Sequence, residues 1–196
     1  STGLFRYWIG RTWLKAFGWR VSGKLPDAPR VVLIAAPHTT NWDGAFMIAT
    51  AWVFRIKLHW IAKKSLVSGP LGPVLRAFGA LGVDRSKPGG QVGQVADQIR
   101  NSDGMFLAIA PSGTRSYRES WKSGFYWIAK EAGVPIVPSF LDWGQKHSGV
   151  GPAINVTGDI VADMDQIRAF YADMKGKYPE KQNPVVLREE AESGNE

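Results

Sequence analysis

Two patterns of hydrophobic and polar positions alternate along this 196-residue chain. Short apolar runs that end at a turn residue predict buried strands, and longer segments with apolar residues three or four positions apart predict helices. The strand-like segments are RVVLIAA (30–36), LHWIAKK (58–64), LGVDR (81–85), MFLAIA (105–110), VPIVPSFLDW (134–143) and AINVTGDI (153–160). The helix-like segments are 3–20, 44–53, a short stretch within 69–79, 89–104, 123–133 and 162–178, the last with Asp163 as its N-cap. This alternation predicts an α/β fold, a single domain with a central mostly parallel sheet flanked by helices.

The predicted elements divide the chain into three parts. Residues 1–22 are expected to form an N-terminal amphipathic helix that precedes the α/β domain of residues 23–179. Residues 180–196 are a polar C-terminal tail, which is expected to be frayed. A chain of this length can bury a core of its own. Because it has no cysteine, disulfides, thiolate metal ligands and a cysteine nucleophile are excluded.

The first predicted helix mixes aromatic residues with cations. Its apolar residues fall within one broad face: Leu4, Phe5, Trp8, Ile9 and Trp13. Such a helix can lie in a membrane interface, where rings sink to the headgroup level and cations meet lipid phosphates. It can equally pack on the domain core with its cations in solvent. No segment reaches the roughly 18 apolar residues of a transmembrane helix, so the chain as given is expected to lie on a membrane rather than span it, although a serine at position 1 leaves room for an upstream segment.

The charge balance favours an anionic partner. Lys and Arg number 24 against 17 Asp and Glu, a net charge of +7, which suits nucleic acid, a phospholipid surface or a phosphorylated substrate. The cations are scattered and form no basic stripe or nucleic-acid motif, so a nucleic-acid partner is not predicted. Nine tryptophans favour an apolar boundary such as a membrane surface.

Two predicted strands end at a proline and continue into polar loops, PHTTNWD (37–43) and PSGTRS (111–116). In α/β sheets, ligands bind at the carboxyl ends of the strands, so both loops are expected at one edge of the sheet. The first loop has two interpretations. Thr40 can be the N-cap of a helix, with Asp43 bonding back from the first turn. Alternatively, the Asp43 carboxylate can hold one ring nitrogen of His38 and free the other to take a proton from an alcohol.

Arg85, in GVDRS, and Arg115, in PSGTRS, are candidate anion-binding residues. The glycine at 113 exposes backbone N–H groups, neighbouring hydroxyls add donors, and a guanidinium grips phosphate oxygens bidentately. The alternative is that both arginines are surface residues paired with Asp84 and Glu119.

Several other chemistries lack their sequence signals. There is no G-x-S-x-G elbow, no P-loop and no G-x-G-x-x-G motif. The three histidines show no ligand-like spacing, so a metal site is not predicted.

The order of four blocks resembles a known family. HTTNWD, AKKSLVSGPLGPVLRAFGALGVDRS, APSGTRS and WKSGFYWIAKEAGVPIVPSF are similar to the successive motifs of the glycerophospholipid acyltransferases, in particular the 1-acylglycerol-3-phosphate acyltransferases. That family has H-x-x-x-x-D, G-x-x-x-x-D-R, P-E-G-T-R-S and V-P-I-V-P blocks in this order. The resemblance covers roughly residues 31–140, over half the chain.

The resemblance implies a role for each matched residue. His38 would be the general base and Asp43 its orienting partner. The residues assigned to the acceptor's phosphate are Arg85, Ser112, Gly113, Thr114 and Arg115, with Lys63 of the AKK sequence near the same site. No cofactor is implied, since acyl-CoA or acyl carrier protein enters as the acyl donor substrate. The family is membrane-bound, which favours a peripheral (monotopic) location on an anionic membrane surface at the cytoplasmic face.

The sequence departs from the family at two positions. Ser112 stands where the family has glutamate, and Pro37 stands where it often has asparagine. The expected function is transfer of a fatty acyl group to the free hydroxyl of a lysophospholipid, with 1-acylglycerol-3-phosphate as the first candidate. Because Ser112 bears on the acceptor, another lysophospholipid, glycerol 3-phosphate or a lyso-aminolipid are alternatives, as is a non-catalytic relative that binds anionic lipid.

Overall fold

The fold is built around a seven-stranded sheet. The computed structural model describes residues 2–84 and 90–193, with Lys63 and residues 191–193 described by their backbone alone. The strands are β1 (Arg20–Ser22), β2 (Arg30–Ala36), β3 (Leu58–Lys63), β4 (Ala80–Val83), β5 (Met105–Ile109), β6 (Ile136–Asp142) and β7 (His147–Val150). Their order across the sheet is β1-β7-β6-β2-β5-β3-β4, with β6 and β7 antiparallel and the other neighbouring pairs parallel. The predicted α/β domain with a mostly parallel sheet is confirmed.

Helices cover both faces of the sheet. They are α1 (Leu4–Ala16), α2 (Trp42–Val53), α3 (Lys64–Ser68), α4 (Gly72–Ala77), α5 (Gly90–Arg100), α6 (Gly124–Ala132), α7 (Ile160–Tyr171) and α8 (Arg188–Ser193), with a 3₁₀ turn at Pro179–Lys181. Alternate residues of the central strand β2 face opposite layers. Val32 and Ile34 pack into the core that includes α5, α6 and α7, and Val31 and Leu33 pack into the core that includes α2. Burial on both faces explains why β2 reads as a continuous apolar run.

Three strand assignments differ from the sequence prediction. Residues 153–160 do not form a strand, and Ile154 makes an isolated bridge with Ile136 instead. Strands β1 and β7 are present although the hydrophobic pattern did not predict them. They have three and four residues, which is too short for a two-residue alternation to be recognised in sequence.

The start of α7 lies earlier than predicted. Asp159 is the N-cap and accepts a hydrogen bond from the N–H of Ala162 at 3.0 Å. Asp163, the predicted cap, is buried and accepts from the Tyr126 hydroxyl at 2.9 Å and from the N–H of Thr157 at 2.9 Å. Burial, followed by the bond to Asp163, raises the pKa of Tyr126 well above its ordinary value. Asp163 therefore ties α6 to α7, and the sequence assigned it the wrong role.

Helix α1 packs on α2 and leaves its apolar face exposed. Gly10 and Leu14 are the buried residues of α1. A Cβ atom at Gly10 would lie 2.5 Å from the carbonyl oxygen of Ala49, so glycine permits the close contact between the two helices. On the opposite side of α1, Phe5 is 79% exposed and Trp8 is 59% exposed. Within residues 2–84 and 90–193, none of the helices has the length and apolar character needed to cross a bilayer.

The segment after Glu180 packs against the domain, so the predicted frayed tail is wrong over residues 180–190. Leu187 is buried and makes a strand-like bridge with Trp121. The N–H of Trp121 donates to the carbonyl oxygen of Val186 at 2.8 Å, and Arg168 pairs with Glu190. One buried apolar residue is enough to hold this polar segment against the domain. The overall composition of the segment does not reveal such a contact. The boundaries predicted for the α/β domain, after residue 22 and before residue 180, stay predictions.

Candidate active site

The loop after β2 is organised around a buried carboxylate. Asp43, in the first turn of α2, has no exposed side-chain surface. Its Oδ2 accepts hydrogen bonds from the N–H groups of Thr39 at 2.8 Å and Thr40 at 2.9 Å. Its Oδ1 accepts from the indole Nε1–H of Trp143 at 2.8 Å. Three donors on one ionisable group hold the carboxylate and the loop in a single arrangement.

The predicted helix cap is correct in part. Asp43 bonds back to Thr40, as predicted, but Asn41 rather than Thr40 is at the N-cap position, and α2 begins two residues before the predicted segment 44–53. The Thr40 hydroxyl accepts from the N–H of Trp42 at 3.3 Å. The capping interaction therefore spans Thr40 to Asp43 while the helix itself starts at Trp42.

His38 lies directly against this carboxylate. Its Nδ1 is 3.3 Å from Asp43 Oδ2, and 24% of its side chain is exposed. This distance allows an electrostatic interaction, but the two atoms do not form a hydrogen bond of normal geometry. Oδ2 already accepts hydrogen bonds from two backbone N–H groups. With Nδ1 facing Asp43, Nε2 is the ring nitrogen left for a substrate. The two interpretations of the H-x-x-x-x-D spacing are geometrically compatible, since Asp43 bonds the loop and also faces His38. The role of His38 as a base stays a prediction.

The loop after β5 turns sharply at Gly113. This residue has a φ of +63° in the left-handed region, and its N–H donates to the Ala110 carbonyl oxygen at 3.0 Å. The Gly113 N–H is therefore used inside the turn rather than exposed to a ligand. The Ser112 hydroxyl donates to the Thr114 carbonyl oxygen at 2.8 Å. Among the described residues, nothing accepts from the N–H groups of Thr114 and Arg115.

Arg115 joins the two loops. Its guanidinium donates to the Asn41 side-chain oxygen, which places an exposed cation beside the start of α2. No carboxylate in the described part of the chain forms an ion pair with Arg115, so the pairing with Glu119 considered from sequence is absent. A second cation, Lys122, lies over the turn, because a Cβ atom at Gly113 would be 3.0 Å from its Nζ.

Two candidate phosphate ligands are not placed beside these loops by the structure. Arg85 lies outside the described residues. Lys63 ends β3, and its side chain is not among those described. Its neighbour Lys64 begins α3 and lies 3.8 Å from the carboxylate of Asp84.

A small cavity connects His38 to Ser112. Its wall also includes Trp121, Tyr171 and Asn183. The cavity has a volume of about 20 Å³, which is room for about one oxygen atom. The Tyr171 hydroxyl donates to the Ser139 carbonyl oxygen at 2.8 Å, and burial raises its pKa well above the ordinary value, so Tyr171 is a neutral part of the wall.

The sequence did not indicate four residues of this site: Asn41, Lys122, Trp143 and Asn183. Trp143 ends the VPIVPSFLDW segment, which was recognised only as a strand. Lys122 lies in the fourth block, whose resemblance is carried by other positions. Nothing in the spacing around Asn183 signals a site. Across the described residues, no group of three or more His, Asp and Glu side chains is placed to hold a metal ion.

A mostly parallel sheet carries a histidine–carboxylate pair and an arginine-containing loop at its carboxyl edge. The chain belongs to the acyltransferase family, whose family model matches residues 19–142. The matched range contains His38, Asp43 and the Ser112–Arg115 loop. The family expected from the motif blocks is therefore confirmed.

Two individual proteins are similar to this chain, one over part of its sequence and one in its fold. The chain is 31% identical over 117 residues to a 1-acyl-sn-glycerol-3-phosphate acyltransferase of Streptococcus pneumoniae (strain ATCC BAA-255 / R6), covering 59% of this chain and 43% of that protein. The chain thus matches less than half the length of this curated relative. Its fold is similar to the crystal structure of the 1-acyl-sn-glycerophosphate (LPA) acyltransferase PlsC from Thermotoga maritima. The TM-score is 0.57, with 15% identity, 88% of this chain covered and 79% of that one.

Proposed function

We propose that this protein transfers a fatty acyl group from acyl-CoA or acyl carrier protein to the free hydroxyl of a lysophospholipid. The proposed acceptor is 1-acylglycerol-3-phosphate and the product phosphatidic acid, in line with the name of the Streptococcus pneumoniae relative. The observation that carries the proposal is the contact of His38 with the buried carboxylate of Asp43, in the wall of a cavity at the carboxyl edge of the sheet.

In the proposed mechanism, His38 is the general base. A lipid hydroxyl is not ionised at neutral pH, so its attack needs a positioned proton acceptor. Nε2 of His38 takes the proton as the hydroxyl oxygen bonds to the thioester carbonyl carbon. The tetrahedral intermediate then collapses, the carbon–sulfur bond breaks, and the leaving thiolate receives the proton from the imidazolium. The nucleophile is the substrate's own oxygen, so no covalent enzyme intermediate is formed.

Asp43 supports the base in two ways. Its charge offsets that of the imidazolium formed during attack, as the aspartate of a hydrolase triad does. Its bonds to Thr39 and Thr40 also fix the backbone that carries His38. Because the base is already held in position, less entropy is lost when the transition state forms.

The acceptor's phosphate is proposed to bind at the PSGTR loop. Arg115 and Lys122 supply positive charge there, and the N–H groups of Thr114 and Arg115 face no acceptor among the described residues. Successive N–H groups next to a cation suit a phosphate oxygen. Roles for Arg85 and Lys63 at the same phosphate stay expectations from the family resemblance.

Replacing Arg115 by alanine is expected to raise the KM for a phosphorylated acceptor about tenfold, because one charge-assisted contact to phosphate is lost. The KM for the acyl thioester and kcat should change much less. Arg100→Ala is the matched control, since Arg100 pairs with Asp97 at the end of α5 and serves no loop of the site. Steady-state kinetics with each substrate varied in turn measure the effect, and an unchanged acceptor KM would remove Arg115 from the site.

We also propose that α1 places the enzyme on an anionic membrane surface as a peripheral protein, at the cytoplasmic face. Its exposed apolar residues are Leu4, Phe5, Trp8 and Ile9. An apolar face of this kind can enter the headgroup region while nearby cations meet lipid phosphates.

The double variant Phe5→Ser, Trp8→Ser is expected to lose binding to vesicles that contain phosphatidylglycerol. Burial of two large aromatic side chains contributes most of the apolar area available to α1. Trp127→Ser is the control, because Trp127 is also exposed but lies on α6, in another helical layer. Vesicle co-sedimentation measures binding, and equal binding of the double variant and wild type would contradict the proposal.

The function itself is tested with a panel of acceptors and a labelled acyl donor. Lysophosphatidate, glycerol 3-phosphate, other lysophospholipids and a lyso-aminolipid are each offered with acyl-CoA and with acyl carrier protein thioester. The highest kcat/KM is expected for lysophosphatidate. A higher value for another acceptor replaces the proposed substrate but keeps acyl transfer. Vesicle binding without transfer to any acceptor would show a non-catalytic lipid-binding protein.

A further inference from the structure

The chain between Gly176 and Leu187, here called the site-covering segment, lies over the His38 loop. A Cβ atom at Gly176 would be 2.8 Å from Cγ2 of Thr39, so the backbone approaches the loop closely. The N–H of Tyr178 donates to the Thr39 hydroxyl at 3.2 Å. At its far end the segment pairs with Trp121 through Val186. The segment lies beyond residue 142, outside the range that the acyltransferase family model matches.

Asn183 lines the cavity beside His38, together with Gln182 and Val185 of the same segment. Asn183 is 7% exposed. Its Oδ1 accepts a hydrogen bond from the N–H of Arg118 at 3.2 Å. A backbone N–H can only donate, so this contact fixes the orientation of the amide and identifies the other end as the NH₂ group. In the described part of the chain, nothing accepts a hydrogen bond from Nδ2 of Asn183.

Other polar side chains in the cavity wall already have hydrogen-bond partners within the protein. Ser112 and Tyr171 each donate to a backbone carbonyl oxygen. Gln182, next to Asn183, uses both ends of its amide: Nε2 donates to a carbonyl oxygen and Oε1 accepts from an N–H, each at 2.8 Å. A buried donor left without an acceptor is costly, so the amide of Asn183 is suited to an oxygen that enters the cavity.

We propose that Asn183 Nδ2 donates a hydrogen bond to the hydroxyl oxygen of the acyl acceptor while His38 accepts that hydroxyl's proton. The cavity has room for about one oxygen atom, and both side chains line it. One lone pair of the oxygen then faces Asn183 and the other faces the thioester carbon. As the proton moves to His38, the growing negative charge on the oxygen stays hydrogen-bonded. This inference rests on the proposed acyl transfer and adds to it a residue that contacts the reacting atom.

The test compares two substitutions of Asn183. Asn183→Asp keeps the oxygen that accepts from Arg118 but loses the NH₂ donor, and Asn183→Leu loses both. For Asn183→Asp we expect kcat/KM for the acceptor to fall roughly tenfold, with the thioester KM unchanged and a lower Tm, because the new carboxylate is buried. For Asn183→Leu we expect the same kinetic loss together with a lower Tm.

Leu187→Ala separates substrate contact from packing. It removes a buried side chain of the same segment that does not line the cavity, so Tm should fall while acceptor kcat/KM stays near that of wild type. If Leu187→Ala lowers acceptor kcat/KM as much as Asn183→Asp does, Asn183 acts through packing and the inference is overturned. Wild-type kinetics in Asn183→Asp overturn it as well and leave the proposed function standing. Absence of transfer by the wild-type protein overturns both.

Discussion

Replacing His38 by alanine is expected to lower acyl transfer by roughly 10²–10⁴-fold, the range that a positioned general base contributes. The fold should be unaffected, because His38 is partly exposed and Nδ1 makes no straight hydrogen bond. Transfer of labelled acyl groups to lysophosphatidate measures the loss, and Tm checks the fold.

His59→Gln is the matched control for this substitution. His59 lies near the start of β3, and burial lowers its pKa, so its loss should alter stability more than transfer. A His38→Ala variant with near wild-type transfer would disprove the role of general base. Vesicle binding that His38→Ala retains while its transfer is lost would separate membrane attachment from chemistry.

Replacing Asp43 by asparagine is expected to reduce both stability and activity. Asparagine has one oxygen and one NH₂ group, so it can accept either from Thr39 and Thr40 or from Trp143, and its NH₂ then faces a donor at the other end. We expect the free energy of unfolding to fall by about 2–4 kcal/mol. Transfer should fall at least roughly 10²-fold, since the imidazolium also loses its counter-charge.

Urea unfolding and steady-state kinetics well below Tm measure the two effects separately. Asp165→Asn is the control, because Asp165 is an exposed carboxylate on α7 that pairs with Arg168. Stability equal to wild type in Asp43→Asn would contradict the geometry described for the loop.

A second substitution separates two causes of the stability loss in Asp43→Asn. One is the new NH₂ group facing another hydrogen-bond donor, and the other is the loss of the carboxylate charge. Trp143→Phe removes the indole donor that faces Oδ1 of Asp43. When it is combined with Asp43→Asn, the new amide can direct its oxygen at Thr39 and Thr40 and its NH₂ at the phenyl ring. Stability is therefore expected to fall by less than the sum of the two single changes, and transfer should remain low. Additive losses of stability would show that the two side chains are not coupled.

Much of the scaffold was predictable because its signals are local. The apolar run of β2 and its end at a proline follow from burial on both faces of a parallel strand. His38 and Asp43 are five residues apart, so a single turn brings them together whatever the rest of the chain does. The motif order then indicated the family, and the acyltransferase family model confirms it.

Other predictions failed where one long-range contact outweighs a local pattern. Asp163 has the composition of a helix cap but bonds Tyr126, 37 residues away in sequence. The residues after Glu180 read as a polar tail, yet Leu187 is buried against the domain. Neither contact produces a periodic pattern of hydrophobic residues, so neither could be recognised from the sequence.

By itself, the sequence determined the α/β architecture, and it predicted the edge of the sheet where the candidate site lies and the histidine and carboxylate proposed for its centre. These depend on hydrophobic period and on contacts within one turn. Tertiary structure alone decided what surrounds them: Trp143 donates to Asp43 across 100 residues, and Arg115 donates to Asn41 across 74. It also decided that Asn183 lies in the wall of the cavity with His38. Such contacts arise only when separate elements pack together, because a hydrogen bond between distant residues depends on where their backbones meet rather than on the residues next to them.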